Sequence, residues 1–168
     1  MDFIKTFSEI GKDDASIAGG KGASLGEMTR AGIPVPPGFV ILSNAFEQFL
    51  DETNLNTEID TVLHSVDQRE MGTVENASAT IQALILNAKM PEDIAATVRN
   101  FYKKLDAQFV AVRSSATAED SASAAWAGQL DSFLNTTEDT LLANVQRCWA
   151  SLFTPRAIFY RFEKELHK

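Results

Sequence analysis

Apolar positions recur at helical spacing through the middle of the chain and in short continuous runs on either side of it. Phe46, Phe49 and Leu50 fall together behind Ser43, which can cap their helix. Ile59, Val62, Leu63 and Val66 follow at i, i+3, i+4 and i+7, opened by Asn56 or Thr57. Ile81, Leu84, Ile85 and Ala88 make a third stripe, which Thr73 opens. Ile94, Val98, Phe101, Tyr102 and Leu105 make a fourth, behind Pro91 and two acids, Glu92 and Asp93, that suit the positive end of a helix dipole. Leu141, Leu142, Val145, Cys148, Trp149, Leu152 and Phe153 all fall on one side of a further helix, capped by Thr136 or Thr137. Thr154-Pro155 restarts a last one with Ile158 and Phe162.

The continuous or alternating runs read as strands. Asp2–Glu9 is short and partly alternating, as an edge strand is. Phe39–Leu42 is wholly apolar and is fed by the stiff connector Pro34–Gly38. Phe109–Val112 and Gly128–Leu134 flank a loop of small residues. Gly22–Ala31 reads as helical, with Leu25 and Met28 on one face, Gly32 as its stop and Pro34 barring continuation. The pattern predicts a mixed α and β chain of the α+β kind, with a helical block between two strand-bearing segments.

Composition narrows this reading without changing it. A chain of 168 residues suits one domain with one sizeable core. No apolar run approaches the roughly 20 residues that span a bilayer. The opening MDFIKTFSEIGKDD carries charge too early for a signal peptide, so a cytoplasmic protein is expected. The lone cysteine, Cys148, excludes an internal disulfide and offers no zinc cluster. Net charge is −8, concentrated in residues 44–76, where eight acids face only Arg69. That segment reads as a solvated helical face, and the absence of a basic stripe argues against a nucleic-acid partner. There is no internal repeat. The chain stops at Lys168 inside or just after a helix, which gives the expectation of a partial domain, residues 1–168, of something longer.

Candidate chemistry gathers at two places. The loop after Phe109–Val112 begins with Arg113 and holds five serines and threonines between Ser114 and Ser123 without a large aliphatic residue. Small residues let backbone N–H groups approach an anion, hydroxyls add donors, and a fixed guanidinium holds two phosphate oxygens. Arg113 reads equally as a structural ion pair with Glu119 or Asp120, and those two acids as loop solvation rather than metal ligands. The second place is Gly19-Gly20-Lys21-Gly22, where Lys21 is expected at the positive end of a starting helix. It lacks the Walker spacing, and a flexible turn with a solvated lysine explains it as well. Gly128 marks close backbone approach or a bulge, and Ser132 alternates with Leu130 and Leu134 on one strand face. His64 falls off its helix stripe and His167 is terminal, so neither reads as a phosphate carrier, while Cys148 and Trp149 read as packing.

Four segments, GGKGASLGEMTRAGIPVPPGFVIL, AVRSSATAED, AWAGQLDSFLN and CWASLFTPRAIFYR, resemble in the same order the N-terminal nucleotide-binding domain of the phosphoenolpyruvate synthase (pyruvate, water dikinase) family. Pyruvate phosphate dikinase and rifampicin phosphotransferase carry related domains. The resemblance runs from about Phe3 to Arg161, and residues 51–106 match only in helical character. It implies the first lobe of an ATP-grasp-type domain. By it, Lys21 and Arg113 contact ATP phosphates, Gly128 and Ser132 line the nucleotide site, and Arg161 is a further phosphate-facing arginine. Ser132 stands where threonine is common, keeping the hydroxyl and losing a methyl. Trp126 stands where phenylalanine is common, and residues 121–126 lack the family's proline.

The resemblance further implies ATP with Mg2+, whose protein ligands lie in a second lobe, and pyruvate bound by other domains. The chain alone is then expected to be inactive, and its uncovered, partly apolar cleft wall predicts self-association into homo-oligomers. An antibiotic kinase of the rifampicin type and a non-catalytic nucleotide-binding module are the alternatives that the sequence leaves open.

Overall fold

β1 (Ile4–Thr6) and β2 (Phe39–Ile41) pair antiparallel, with Ile4 opposite Ile41 and Thr6 opposite Phe39. The computed structural model describes residues 3–67, 69–113 and 132–163. Strand alternation splits the apolar residues of this ladder between two cores. Ile4, Phe39 and Ile41 join the main one, whereas Val40 and the adjoining Leu42 meet Ile10 and Ala18 beneath helix α1 (Ala15–Arg30). Gly32 ends α1 as its sequence suggests. It takes φ +80°, and the N–H groups of Gly32 and Ile33 close onto the carbonyls of Thr29 and Met28 at 3.2 and 3.0 Å. A residue with a Cβ would be strained at that φ.

The helical block follows as α2 (Ser43–Glu52), α3 (Leu55–His64), α4 (Met71–Asn87) and α5 (Glu92–Leu105). After the second strand pair come α6 (Glu138–Ala150), a 3-10 turn at Ser151–Phe153 and α7 (Pro155–Glu163). The expected stripes face inward: Ile59 and Leu63 from α3, Ile81 and Ile85 from α4, Ile94 and Val98 from α5. Aromatic rings knit α2 to α6, with the Phe49 and Phe46 centroids 5.0 and 5.2 Å from that of Trp149. Burying one such ring is worth about 1.5–3 kcal/mol. No helix among the described residues is long and apolar enough to cross a membrane.

Two polar ties fix α6 to α4 inside this apolar block. The Gln146 amide donates to Ile85 O at 2.9 Å and Ala88 O at 2.8 Å, so α6 caps the carbonyls that the end of α4 leaves unpaired. Ser78 donates to Phe153 O at 2.6 Å, which fixes the turn after α6 to the middle of α4. β3 (Val110–Arg113) and β4 (Ser132–Thr136) then pair antiparallel and pack on α6.

At the N-terminal edge, the Glu9 carboxylate accepts from the Thr6 backbone N–H and hydroxyl, both at 2.9 Å. These bonds hold the Glu9 carboxyl below the ordinary glutamate range.

Two predictions follow from these contacts. Gln146→Leu keeps the volume but strands two carbonyls at the α4–α6 joint, so urea unfolding should show a loss of about 2 kcal/mol. Glu9 is ionised more easily folded than unfolded. Its contribution is therefore complete above the unfolded pKa, about 4.3, and fades as pH falls through the lower folded value. A carbon-13 titration of the Glu9 carboxyl should give a midpoint under that of an unstructured glutamate, and a midpoint at or above it would refute the capping role.

Candidate functional site

The β3–β4 hairpin presents one face to α6 and one outward. Val110 and Val112 pack toward the main core, and Phe133 is half-buried beside the Arg147 guanidinium, 5.9 Å from its ring centroid. Ala111, Arg113, Ser132 and Leu134 are exposed. Arg113 is the direct cross-strand partner of Ser132. Opposed residues in such a pair project to the same side with Cβ atoms about 4.5–5.5 Å apart. A guanidinium and a hydroxyl, singled out separately by the sequence, thus share one face at the end of the ladder where β3 leaves and β4 returns. Leu134, at 65 % exposure, supplies large apolar surface on the same strand as Ser132, and Phe109, at 53 %, lies just before β3 at the other end of the ladder.

The ladder is not regular. Val112 opposes Phe133 and Arg113 opposes Ser132, but Val110 opposes Thr136, one residue out of step. Leu134 and Asn135 therefore share the place across from Ala111, a β-bulge with Asn135 at φ +55°. The extra residue turns Thr136 inward, where only 1 % of it is exposed. Its hydroxyl donates to Phe133 O at 3.1 Å and accepts from the Asn144 amide of α6 at 2.9 Å. Asn144 in turn accepts from Arg147 at 3.2 Å.

Lys21 stands elsewhere than its sequence suggests. Helix α1 begins at Ala15, so Lys21 lies within the helix rather than at its N-terminal end, away from the unpaired N–H groups of the first turn. The glycines around it serve packing. A Cβ on Gly22 would lie 3.1 Å from Val40 Cγ2, and one on Gly26 would lie 2.3 Å from the Ile10 carbonyl oxygen. With Ala18, they form a small-residue stripe that lets α1 approach β2 and the Ile10 backbone. The Lys21 side chain is exposed. α1 rests on the 3-10 turns Phe7–Glu9 and Lys12–Asp14, on α2 and on β2, whereas Arg113 and Ser132 are carried by the hairpin on α6.

Among the described residues, neither Lys21 nor Arg113 makes an ion pair. Gly128, Glu119, Asp120 and the rest of residues 114–131 lie outside the described residues. Arg161 falls in α7, with its side chain outside what is described. No group of three or more histidines, cysteines or acids able to hold a metal occurs among the described residues. His64 is exposed, its ring bonded to Asp60 O at 2.6 Å, and Cys148 is buried, as the sequence suggests for both. Sequence reasoning missed Asn135, Asn144 and Arg147. Asn-Thr-Thr before a helix reads as a cap, which hides a bulge.

A family profile described as pyruvate phosphate dikinase, AMP/ATP-binding domain, matches residues 15–168. A protein of Methanothermobacter thermautotrophicus, described as a probable phosphoenolpyruvate synthase, is 46 % identical over 168 residues, covering 96 % of this chain and 25 % of its own length. One of Methanocaldococcus jannaschii with the same description is 48 % identical over 168 residues, covering 96 % of this chain and 14 % of its own. The phosphoenolpyruvate synthase of Pyrococcus furiosus is 36 % identical over 198 residues, covering 95 % and 24 % respectively. The chain thus spans a quarter or less of these relatives.

The packing role of the glycines can be separated from any role in anion binding. Gly26→Ala drives a methyl into backbone, and the clash outweighs the roughly 1 kcal/mol that alanine gains in a helix. A net loss of about 2 kcal/mol is expected in thermal or urea unfolding. Gly22→Ala meets only the Val40 and Ala18 side chains and should cost less. Equal effects at the two positions would count against the close approach at Ile10.

Proposed function

The chain belongs to the pyruvate phosphate dikinase AMP/ATP-binding domain family, and from that premise we propose that it forms one wall of the ATP site of a phosphoenolpyruvate synthase. In this reading the wall is the first lobe of an ATP-grasp-type domain. The observation that carries it is the pairing of Arg113 with Ser132 on an exposed strand face. A planar guanidinium takes two phosphate oxygens at once, and the neighbouring hydroxyl donates to a third. Neither has to be withdrawn from a salt bridge among the described residues first.

The reaction of the whole enzyme is then a two-step transfer. ATP gives its β-phosphate to a carrier histidine of another domain, water takes up the γ-phosphate as inorganic phosphate, AMP is left, and the histidine passes the phosphoryl group to pyruvate. Arg113 neutralises charge that grows on the phosphate oxygens as the bond to the leaving group breaks. Ser132 orients the same oxygens. Lys21, Gly128 and Arg161 complete the polyphosphate contacts. Magnesium accompanies ATP, and among the described residues no group of three or more metal-binding side chains occurs. Its ligands are assigned to a second lobe, and no step here runs through it. Pyruvate is bound by other domains, the setting is cytoplasmic, and copies of the chain associate through the uncovered wall. The relatives' names favour pyruvate over an antibiotic as the acceptor.

An NMR titration of the chain with Mg-ATP tests the reading. Shifts should gather at Arg113 and Ser132 and extend to Lys21. Arg113→Ala should weaken binding at least about tenfold, the effect of losing a bidentate charge-assisted contact. Ser132→Ala should weaken it by less, and Lys21→Ala should weaken it while leaving unfolding unchanged. Shifts that avoid the β3–β4 face, or an Arg113→Ala variant that binds as well as the parent, would overturn it.

A further inference from the structure

The pairing of Arg113 with Ser132 depends on a register, and the register depends on residues that touch neither. In a regular antiparallel ladder side chains alternate strictly. Ser132 and Leu134 are exposed and Phe133 is half-buried, so continued alternation would turn Thr136 outward as well. Instead Thr136 is buried, and the residue that absorbs the difference is Asn135, at φ +55°. Asparagine tolerates this left-handed conformation better than most residues, and a β-branched residue tolerates it badly.

The bulge is stapled from both sides. Thr136 spans it by donating to Phe133 O, and Asn144 of α6 donates to the same Thr136 hydroxyl. Arg147, one turn further along α6, donates to Asn144 and lies over the Phe133 ring. The residues on either side of the bulge, Phe133 and Thr136, are thereby both tied to α6. Ser132 adjoins Phe133 directly. A slip by one residue would bring Phe133 opposite Arg113 and turn the Ser132 hydroxyl toward α6, because the side-chain period is two.

We infer that Asn135 and Asn144 are positioning residues of the nucleotide site: the bulge at Asn135, locked by Asn144 through Thr136, sets the β4 register that brings the Ser132 hydroxyl beside the Arg113 guanidinium on one face. The inference rests on the proposal that this face binds ATP, but its register component has a separate readout. Neither residue touches the nucleotide; both act through Ser132.

The test compares Asn135→Gly, which adopts positive φ freely, with Asn135→Val, which does not. Each is followed by cross-strand backbone NOEs between Arg113 and Ser132 and by the Mg-ATP titration. Asn135→Gly should keep the NOEs and bind ATP within about twofold of the parent, whereas Asn135→Val should lose the NOEs and bind about fivefold more weakly, as Ser132→Ala does, the effect of one lost hydroxyl hydrogen bond to phosphate. Asn144→Ala should behave as Asn135→Val does, and it carries the test if Asn135→Val does not fold. Intact NOEs in both Asn135→Val and Asn144→Ala would overturn the inference. So would lost NOEs with unchanged ATP affinity. A parent chain whose Arg113 and Ser132 signals ignore ATP would sink the nucleotide reading instead, and the NOEs would still decide whether Asn135 sets the register.

Discussion

The hydrogen bonds from Gln146 to the end of α4 are the joint around which the rest is arranged. Helix α4 ends with carbonyls that have no partner of their own, and α6 supplies the donor. A buried amide fixes rotation and translation together, because its two bonds are lost if either helix slides. Apolar packing of Val145 and Trp149 against the same block is far more tolerant of small shifts. Once α6 is fixed, its other flank is a fixed surface. Asn144 and Arg147 lie on that flank and hold β4, and β4 holds β3. The position of Arg113 is thus inherited from a helix–helix contact through a chain of directional bonds.

What the sequence disclosed and what it concealed divide along physical lines. The helices were legible because a 3.6-residue stripe requires only that one side be apolar. The C-terminus of α1 was legible because positive φ at Gly32 has few alternatives. The start of α1 was not. Gly19 and Gly20 each weaken a helix by about 1 kcal/mol, so a local reading begins it later. The close approach of α1 to β2 at Gly22 and to the Ile10 backbone at Gly26 overrides that preference. Lys21 was accordingly expected at a helix end and lies inside the helix instead. Gln146 was concealed for a different reason: a polar residue beside an apolar stripe reads as solvated, and only the position of α4 reveals its task.

The site was half legible. Arg113 and Ser132 each stood out, one at the end of an apolar run and the other by alternation. That they oppose each other could not be read, since residues 114–131 intervene and the pairing turns on a one-residue offset at Asn135. Registers of this kind are long-range quantities. They are set by which residue is tied to a third element, here α6, and no window along the chain contains all three.

Charge raises a last question, because a chain of net charge −8 is a poor anion receptor on its face. The answer is spatial. Five of the exposed acids, Glu47, Asp51, Glu52, Glu58 and Asp60, belong to α2 and α3, and two more, Glu138 and Asp139, open α6, the helix that carries the hairpin ending in Arg113. At physiological ionic strength exposed charges are screened over about 8 Å, so acids beyond that range weigh little against a guanidinium in contact with phosphate. What matters more is whether the cation is already neutralised. Arg69, Arg99 and Lys103 are engaged with Asp67, Glu92 and Glu138. Arg113 and Lys21 have no such partner among the described residues. If the β3–β4 face takes phosphate as proposed, a cation with no ion pair among the described residues meets it without first leaving a carboxylate, and screening confines its attraction to contact range.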